Sequence, residues 1–134
     1  MRSGLLALAL VIAGLGSPAL PANWRQLSGG SDGGSYIDTD AITRKGDKSR
    51  YWREVRFPEP QTAPTGDRFN RMAALIEVNC RAKTFRYLRQ RANLGDVVIY
   101  DEKDQDDSRQ AIEPGSYVHA ELRAVCFGEW PSGT

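Results

Sequence analysis

The sequence predicts an α+β protein in which an antiparallel sheet of about six strands carries a C-terminal helix tied to it by one disulfide. Three observations support this fold class: a series of period-two strands, one capped amphipathic helix near the C-terminus, and two cysteines placed to connect them. With 134 residues, 40% hydrophobic and 26% charged, the chain has the size and composition of one globular domain. We therefore expect residues 23–134 to form a single domain.

The first 22 residues have the organisation of a secretory signal peptide. Arg2 supplies a short positive region, residues 5–15 form an uncharged apolar stretch, and residues 17–22 form a small-residue cleavage region. Cleavage after Ala19 or Ala22 fits this pattern, and we favour Ala22. The apolar stretch is shorter than the roughly 20 residues of a membrane-spanning helix, and no cysteine follows it to carry a lipid. We therefore expect export without a membrane anchor.

Cys80 and Cys126 are the only cysteines in the chain. Two cysteines in an oxidising compartment are expected to pair. Cys80 shares one face of a predicted strand with apolar residues of 74–80, so its sulfur points toward the core. A reactive thiol and a metal ligand are the alternatives, but the sequence has neither a CxxC pair nor a Cys/His cluster. A structural disulfide is the better interpretation.

The helix is predicted to begin after Ser116 and to end at Cys126. Pro114 and Gly115 interrupt the preceding chain, and the Ser116 hydroxyl can cap the first amides of the helix. Apolar residues then recur at helical spacing and form one stripe: Val118, Leu122, Val125 and Cys126. This stripe should face the sheet.

Six segments are predicted as strands: 23–27, 36–38, 49–57, 71–81, 83–91 and 97–100. The glycine-rich residues 28–35 are predicted as a loop or hairpin connection, and residues 58–68 as a loop, because their three prolines cannot donate ladder hydrogen bonds. In strand 49–57 Tyr51 and its alternates face one side, with Arg53 as the exception, and Trp52 faces the other. Trp24 and Trp52 are either exposed anchors or parts of the core.

The strand 83–91 carries the candidate binding residues. Arg86, Arg89 and Arg91 alternate with aromatic residues, a composition that is typical of nucleic-acid-binding strands. Export and a formal net charge of only +1 argue against a nucleic acid partner. We expect these arginines to pair with acids such as those of 101–107, and we predict that a partner, if one binds, contacts Arg86, Arg89, Arg91 and Trp52.

Two other groups of residues were considered for chemistry. His119 lies near Ser116 and Glu121, a combination that could suggest acid-base or nucleophilic catalysis. We expect Ser116 to cap the helix and His119 to be a partly exposed helix residue instead. The acidic run 101–107 lacks the glycine and glutamate positions of an EF-hand loop. We predict no enzyme activity, no metal site and no cofactor.

The arrangement of these motifs resembles the surface-adhesin protein E family of exported bacterial proteins. The matching features, in order, are Trp24, residues 36–38 with Ile42, Tyr51-Trp52, Cys80 followed by a basic and aromatic strand, and residues 113–116 leading to Val125-Cys126. The resemblance covers nearly all of residues 23–134. It implies a six-stranded antiparallel sheet tied to its C-terminal helix by Cys80 and Cys126. It also implies binding of host extracellular-matrix or plasma proteins, and a homodimer.

Two functions are compatible with the sequence. The first is an exported, non-enzymatic binding protein of the adhesin type, located in the periplasm or at the cell surface. The alternative is a periplasmic accessory or stress-associated protein that uses the same scaffold.

Overall fold

A computed structural model describes residues 22–103 and 108–132 of the chain. Its elements are β1 Trp24–Gly30, β2 Gly33–Asp38, a 3-10 turn Thr39–Ala41, β3 Thr43–Lys45, β4 Lys48–Thr62, β5 Arg68–Asn79, β6 Thr84–Leu94, β7 Val97–Lys103, β8 Gln110–Ala111 and α1 Tyr117–Phe127. The predicted fold class is confirmed, because every strand pair is antiparallel and the helix follows the sheet. The predicted signal peptide lies outside the described residues.

The strands form one sheet in the order β1-β2-β4-β5-β6-β7, with β3 beside β4 and β8 beside β6. The sheet has eight strands where the sequence predicted about six, because the short strands β3 and β8 were missed. β3 has three residues and β8 has two, which is too short for a periodic pattern to be visible in the sequence.

The glycine-rich connection of β1 to β2 is a hairpin in which the strands continue almost to the turn. β1 ends at Gly30 and β2 begins at Gly33, so only two residues separate them. Gly34 has a φ of +141°, and a Cβ there would overlap the carbonyl oxygen of Ser28 on the facing strand. Glycine is therefore required at this close approach of the two strands.

The prediction of a loop over residues 58–68 was wrong for its first five residues and for Arg68, which begins β5. β4 continues through Pro58 and Pro60 to Thr62, and the register with β5 shifts between Arg56 and Gln61. Prolines are compatible with this irregular stretch because the regular ladder is interrupted there. The chain leaves the sheet only at residues 63–67.

The helix packs against one side of the sheet, which we call the helix face; the opposite side is the open face. The core between helix and sheet consists mainly of residues that are less than 10% exposed, among them Ile37, Tyr51, Ile76, Val78, Val118, Leu122 and Ala124. Ser116 caps α1 as predicted, because its side chain accepts a hydrogen bond from the amide of His119 at 3.2 Å. Gly128 ends the helix in a left-handed conformation with φ of +68°.

The predicted disulfide between Cys80 and Cys126 is confirmed, with Cα atoms 5.8 Å apart. It joins the end of β5 to the last turn of α1, so the covalent link lies at one end of the core. Among the residues that the structure describes, no helix has the length and apolar composition to cross a membrane.

Candidate functional site

The candidate binding residues lie on the open face, where the long strands β4, β5 and β6 run side by side. Successive side chains of a strand alternate between the two faces, so cross-strand partners share a face. The rows of partners across β4, β5 and β6 on this face are Arg50, Glu77, Arg86; Trp52, Leu75, Arg89; Glu54, Ala73, Arg91; and Arg56, Arg71, Asn93. All four residues predicted to contact a partner are present in these rows.

A β-bulge in β6 brings the three predicted arginines to the same face. Tyr87 pairs with Ile76 and Arg89 pairs with Leu75, so Leu88 is an extra residue without a partner on β5. With strict alternation, Arg86 would face away from Arg89 and Arg91. The bulge changes the alternation by one residue, and Arg86, Arg89 and Arg91 all lie on the open face.

Ion pairs connect most of the charged side chains of this face. We call the connected set the arginine face; it comprises Arg50, Arg56, Arg71, Arg86, Arg89, Arg91 and Arg109 with Glu54, Glu77 and Asp101. Of these arginines the sequence analysis selected Arg86, Arg89 and Arg91. It placed Arg50 and Arg56 on the side of Trp52 without a binding role, and it did not include Arg71 and Arg109. No local pattern connects those two to the others, because their neighbours come from distant parts of the chain.

Glu77 is the centre of one end of the arginine face. Its side chain is 2% exposed, and its oxygens lie 2.8 Å from Nε of Arg50 and 3.1 Å from Nε of Arg86. A terminal nitrogen of Arg109 lies 3.7 Å away. One buried carboxylate thus holds three guanidinium groups in place.

The other two carboxylates each hold two arginines. Glu54 lies 2.9 Å from Nε of Arg56 and 3.7 Å from a terminal nitrogen of Arg71. Asp101 accepts two hydrogen bonds from Arg89, at 2.7 and 2.9 Å, and one from Arg91 at 3.3 Å. The pairing of the β6 arginines with the acidic segment that begins at Asp101 is as predicted; residues 104–107 lie outside the described residues.

The arginine face has seven arginines and three carboxylates, an excess of four positive charges. This set is therefore more positive than the sequence as a whole, which has a formal net charge of only +1. Within residues 22–103 and 108–132, the terminal guanidinium nitrogens of Arg50, Arg56 and Arg91 have no hydrogen-bond acceptor. This part of the surface can therefore bind further anionic groups.

Aromatic rings lie between the arginines of the open face. The guanidinium of Arg91 is 5.3 Å from the ring centroid of Trp52, and that of Arg56 is 3.9 Å from Tyr36 and 5.9 Å from Trp24. A depression of about 390 Å³ is lined by Trp24, Asp38, Trp52, Glu54, Arg71, Ala73, Arg91 and Asn93. Both tryptophans are partly exposed, so a partner can contact them.

The arginines determine how Glu77 responds to pH. Burial acts to raise the pKa of Glu77, but hydrogen bonds and charge from Arg50 and Arg86 outweigh it and lower the pKa below its ordinary value of 4.5. A carboxylate whose pKa is lower in the folded protein contributes stability that is complete above the unfolded-state pKa. That contribution is lost as the pH falls through the lower, folded-state pKa.

We therefore expect the free energy of unfolding to fall as the pH decreases below about 4.5, and to fall less in a Glu77→Gln variant. Urea unfolding at pH 7, 4 and 3 measures the free energy of unfolding of the original chain and of the Glu77→Gln variant. Glu59→Gln is the matched control, because it makes the same substitution at an exposed position outside the arginine face. The assignment is wrong if Glu77→Gln keeps the full acid dependence of the original chain.

A second charged cluster is buried beneath the helix. Glu121 of α1 accepts a hydrogen bond from the Tyr51 hydroxyl at 2.6 Å and one from Nε of Arg53 at 2.9 Å. Burial and the Glu121 carboxylate raise the pKa of Tyr51 well above its usual value, so the hydroxyl keeps its proton. Arg53, the exception to the alternation in β4, is thus explained by a partner on the helix.

His119 and Ser116 have structural contacts at the start of α1. The Ser116 hydroxyl donates to the carbonyl of Glu113 at 2.7 Å, and Nδ1 of His119 accepts a hydrogen bond from the amide of Gly115 at 3.2 Å. Glu121 is engaged by Tyr51 and Arg53 instead of His119. These contacts are those of a helix cap, and they do not place a base on a nucleophile in the manner of a catalytic triad.

An open sheet face that carries a cluster of arginines, and a helix fixed to the other face by a disulfide, define a small α+β domain. A model of the family described as surface-adhesin protein E matches residues 24–127. The chain belongs to this family. Membership associates it with exported, surface-adhesin-like proteins. No curated protein matches the sequence.

Solved structures of Haemophilus influenzae protein E are similar to this chain. One crystal form has a TM-score of 0.57 at 12% identity over 84% of this chain and 98% of the other. The structure from non-typeable Haemophilus influenzae has a TM-score of 0.55 at 12% identity, over 84% and 81% of the two chains. A third has a TM-score of 0.53 at 12% identity, over 86% and 96%. At this identity the likeness shows a shared fold.

Proposed function

We propose that the chain is an exported, non-enzymatic binding protein that attaches the bacterium to host extracellular-matrix or plasma proteins. The observation that carries the proposal is the arginine face, an open sheet surface with an excess of four positive charges and accessible guanidinium groups. Membership of the surface-adhesin protein E family supports the same function.

Recognition would use side chains of the open face. Arg89, Arg91 and Trp52 are neighbours there, and arginine and tryptophan are the residues that most often dominate binding energy at protein interfaces. The opposite face is covered by α1 over its buried core. A homodimer that leaves the open face accessible is compatible with this proposal.

The proposal is tested on cells that produce the chain. We expect added protease to digest the protein on intact cells, and we expect these cells to adhere to matrix-coated surfaces better than cells from which its gene has been deleted. A periplasmic marker protein that stays intact is the control for an unbroken outer envelope. Protection until the envelope is permeabilised would contradict the proposal and favour the alternative, a periplasmic accessory or stress-associated protein.

A further inference from the structure

We propose that the arginine face binds a sulfated glycosaminoglycan, a linear polysaccharide that carries sulfate and carboxylate groups along its length. The inference rests on the proposed function, because it names the component of the host matrix that the chain would recognise. It is carried by the charge of the face, by its unused hydrogen-bond donors and by the aromatic rings between the arginines.

The dimensions of the face suit a chain of repeated negative charges. From Arg50 to Arg56 the face extends about 20 Å along β4, and the strands from β2 to β7 span about 19 Å. Side chains on one face are about 6.6 Å apart along a strand and about 4.8 Å apart across strands. Several sulfate groups of one polysaccharide can therefore meet arginines at the same time.

The terminal nitrogens of Arg50, Arg56 and Arg91 supply the donors. Each of these arginines uses Nε for its ion pair, and the part of the chain that the structure describes offers no acceptor to the remaining fork of nitrogens. A guanidinium fork matches the two oxygens of a sulfate or carboxylate. The outer edge of these side chains is thus suited to an anionic ligand.

The three carboxylates act as positioning residues. Glu54, Glu77 and Asp101 hold the arginines in fixed orientations, with separations of 2.7 to 3.3 Å in the five shortest pairs. Long side chains lose conformational entropy when they bind a ligand, and prior ordering reduces this loss. The face combines a net positive charge with arginines that are already arranged for binding.

The depression on the open face fits a sugar ring. Trp24, Trp52 and the small Ala73 line it together with Arg71 and Arg91. The apolar C–H face of a pyranose ring packs on an indole ring, while its sulfate substituents reach the neighbouring guanidinium groups. This combination of rings and cations within one shallow site favours a charged polysaccharide.

An acidic peptide is less well suited to this surface. Extended peptides commonly bind by adding a strand to the edge of a sheet, but the arginine face lies on strands whose neighbours are already paired on both sides. A polysaccharide needs only the side chains that the face provides.

The test measures binding of the mature chain to a heparin octasaccharide by calorimetry. We expect Arg56→Ala with Arg91→Ala to weaken the affinity about tenfold, because both arginines have terminal nitrogens that the ion pairs leave for the ligand. Arg68→Ala with Arg123→Ala changes the net charge equally but leaves the arginine face intact, and its affinity should stay within about twofold of the original. Melting temperatures of both variants verify that each is folded. Trp52→Ala should weaken binding without changing its salt dependence.

Competing ligands separate the possible outcomes. Equal losses of affinity in the two double variants would overturn the inference, since binding would then reflect general charge attraction. Tighter binding of poly-glutamate or of single-stranded DNA than of heparin would also overturn it, in favour of an acidic protein segment or a nucleic acid. Adherence that persists on matrix stripped of glycosaminoglycan would contradict this inference alone. If cells with and without the gene adhere equally while the purified chain still binds heparin, only the proposed function is contradicted.

Discussion

Replacing Cys80 and Cys126 with alanine is expected to lower the free energy of unfolding by about 4 kcal/mol. The bridge joins residues that are 46 positions apart, and a loop of that length has a large conformational entropy in the unfolded chain when it is not closed. Small domains are stabilised by only about 5–15 kcal/mol in total. The bond therefore supplies a substantial part of the stability, and its loss should free the C-terminal end of α1 first.

Urea unfolding of the oxidised chain, the reduced chain and the double alanine variant measures this effect. The reduced chain and the variant should have similar unfolding midpoints, because both lack the cross-link but keep small apolar groups at the two positions. An intact mass with two free thiols in the exported protein would contradict the pairing. A loss below about 1 kcal/mol would show that strain or residual structure cancels the entropic contribution.

Replacing Glu121 with alanine is expected to destabilise the fold by about 3 kcal/mol or more. The Glu121 side chain is 1% exposed, and the Arg53 side chain is 16% exposed. Without Glu121, the buried guanidinium of Arg53 keeps contacts with the uncharged Tyr87, whose hydroxyl is 3.4 Å away and whose ring centroid is 5.7 Å away. It loses its carboxylate partner, and the Tyr51 hydroxyl loses its acceptor. An unpaired buried charge is more costly than the ion pair is favourable.

A triple variant distinguishes this explanation from a simple loss of helix packing. Tyr51→Phe, Arg53→Met and Glu121→Leu together remove the charges and the hydroxyl but retain apolar volume, so we expect stability within about 1 kcal/mol of the original chain. Thermal and urea unfolding of the single and triple variants provide the comparison. If the triple variant is less stable than Glu121→Ala, the cluster contributes net stability of its own and the argument from an unpaired charge is wrong.

The fold class, the helix and the disulfide could be predicted because their signals are local or depend on few residues. Ser116 and Gly115 mark the start of the helix, and two cysteines allow one intrachain pairing. The continuation of β4 through Pro58 and Pro60 could not be predicted, because it depends on an irregular register with β5. Pairing with β5 makes this segment a strand, although its prolines alone favour a loop.

The candidate site was predicted in part. The residue types of Arg86, Arg89, Arg91 and Trp52 indicated a binding surface, but no feature of the sequence identifies Leu88 as a bulge. The ion pair between β4 and the helix was also beyond prediction. Arg53 finds its partner 68 positions away, so in the sequence it is only a polar residue at a core position.

The bulge at Leu88 also determines how β6 tolerates a change of length. Deleting Leu88 would place Arg89 directly after Tyr87 and leave both opposite their present partners, so each face of the strand would keep its side chains. Loss of Gln90 would instead bring Leu88 outward and turn Arg89 toward the helix. Over evolutionary time, this strand can therefore shorten by one residue at Leu88 and still present the same arginines on the open face.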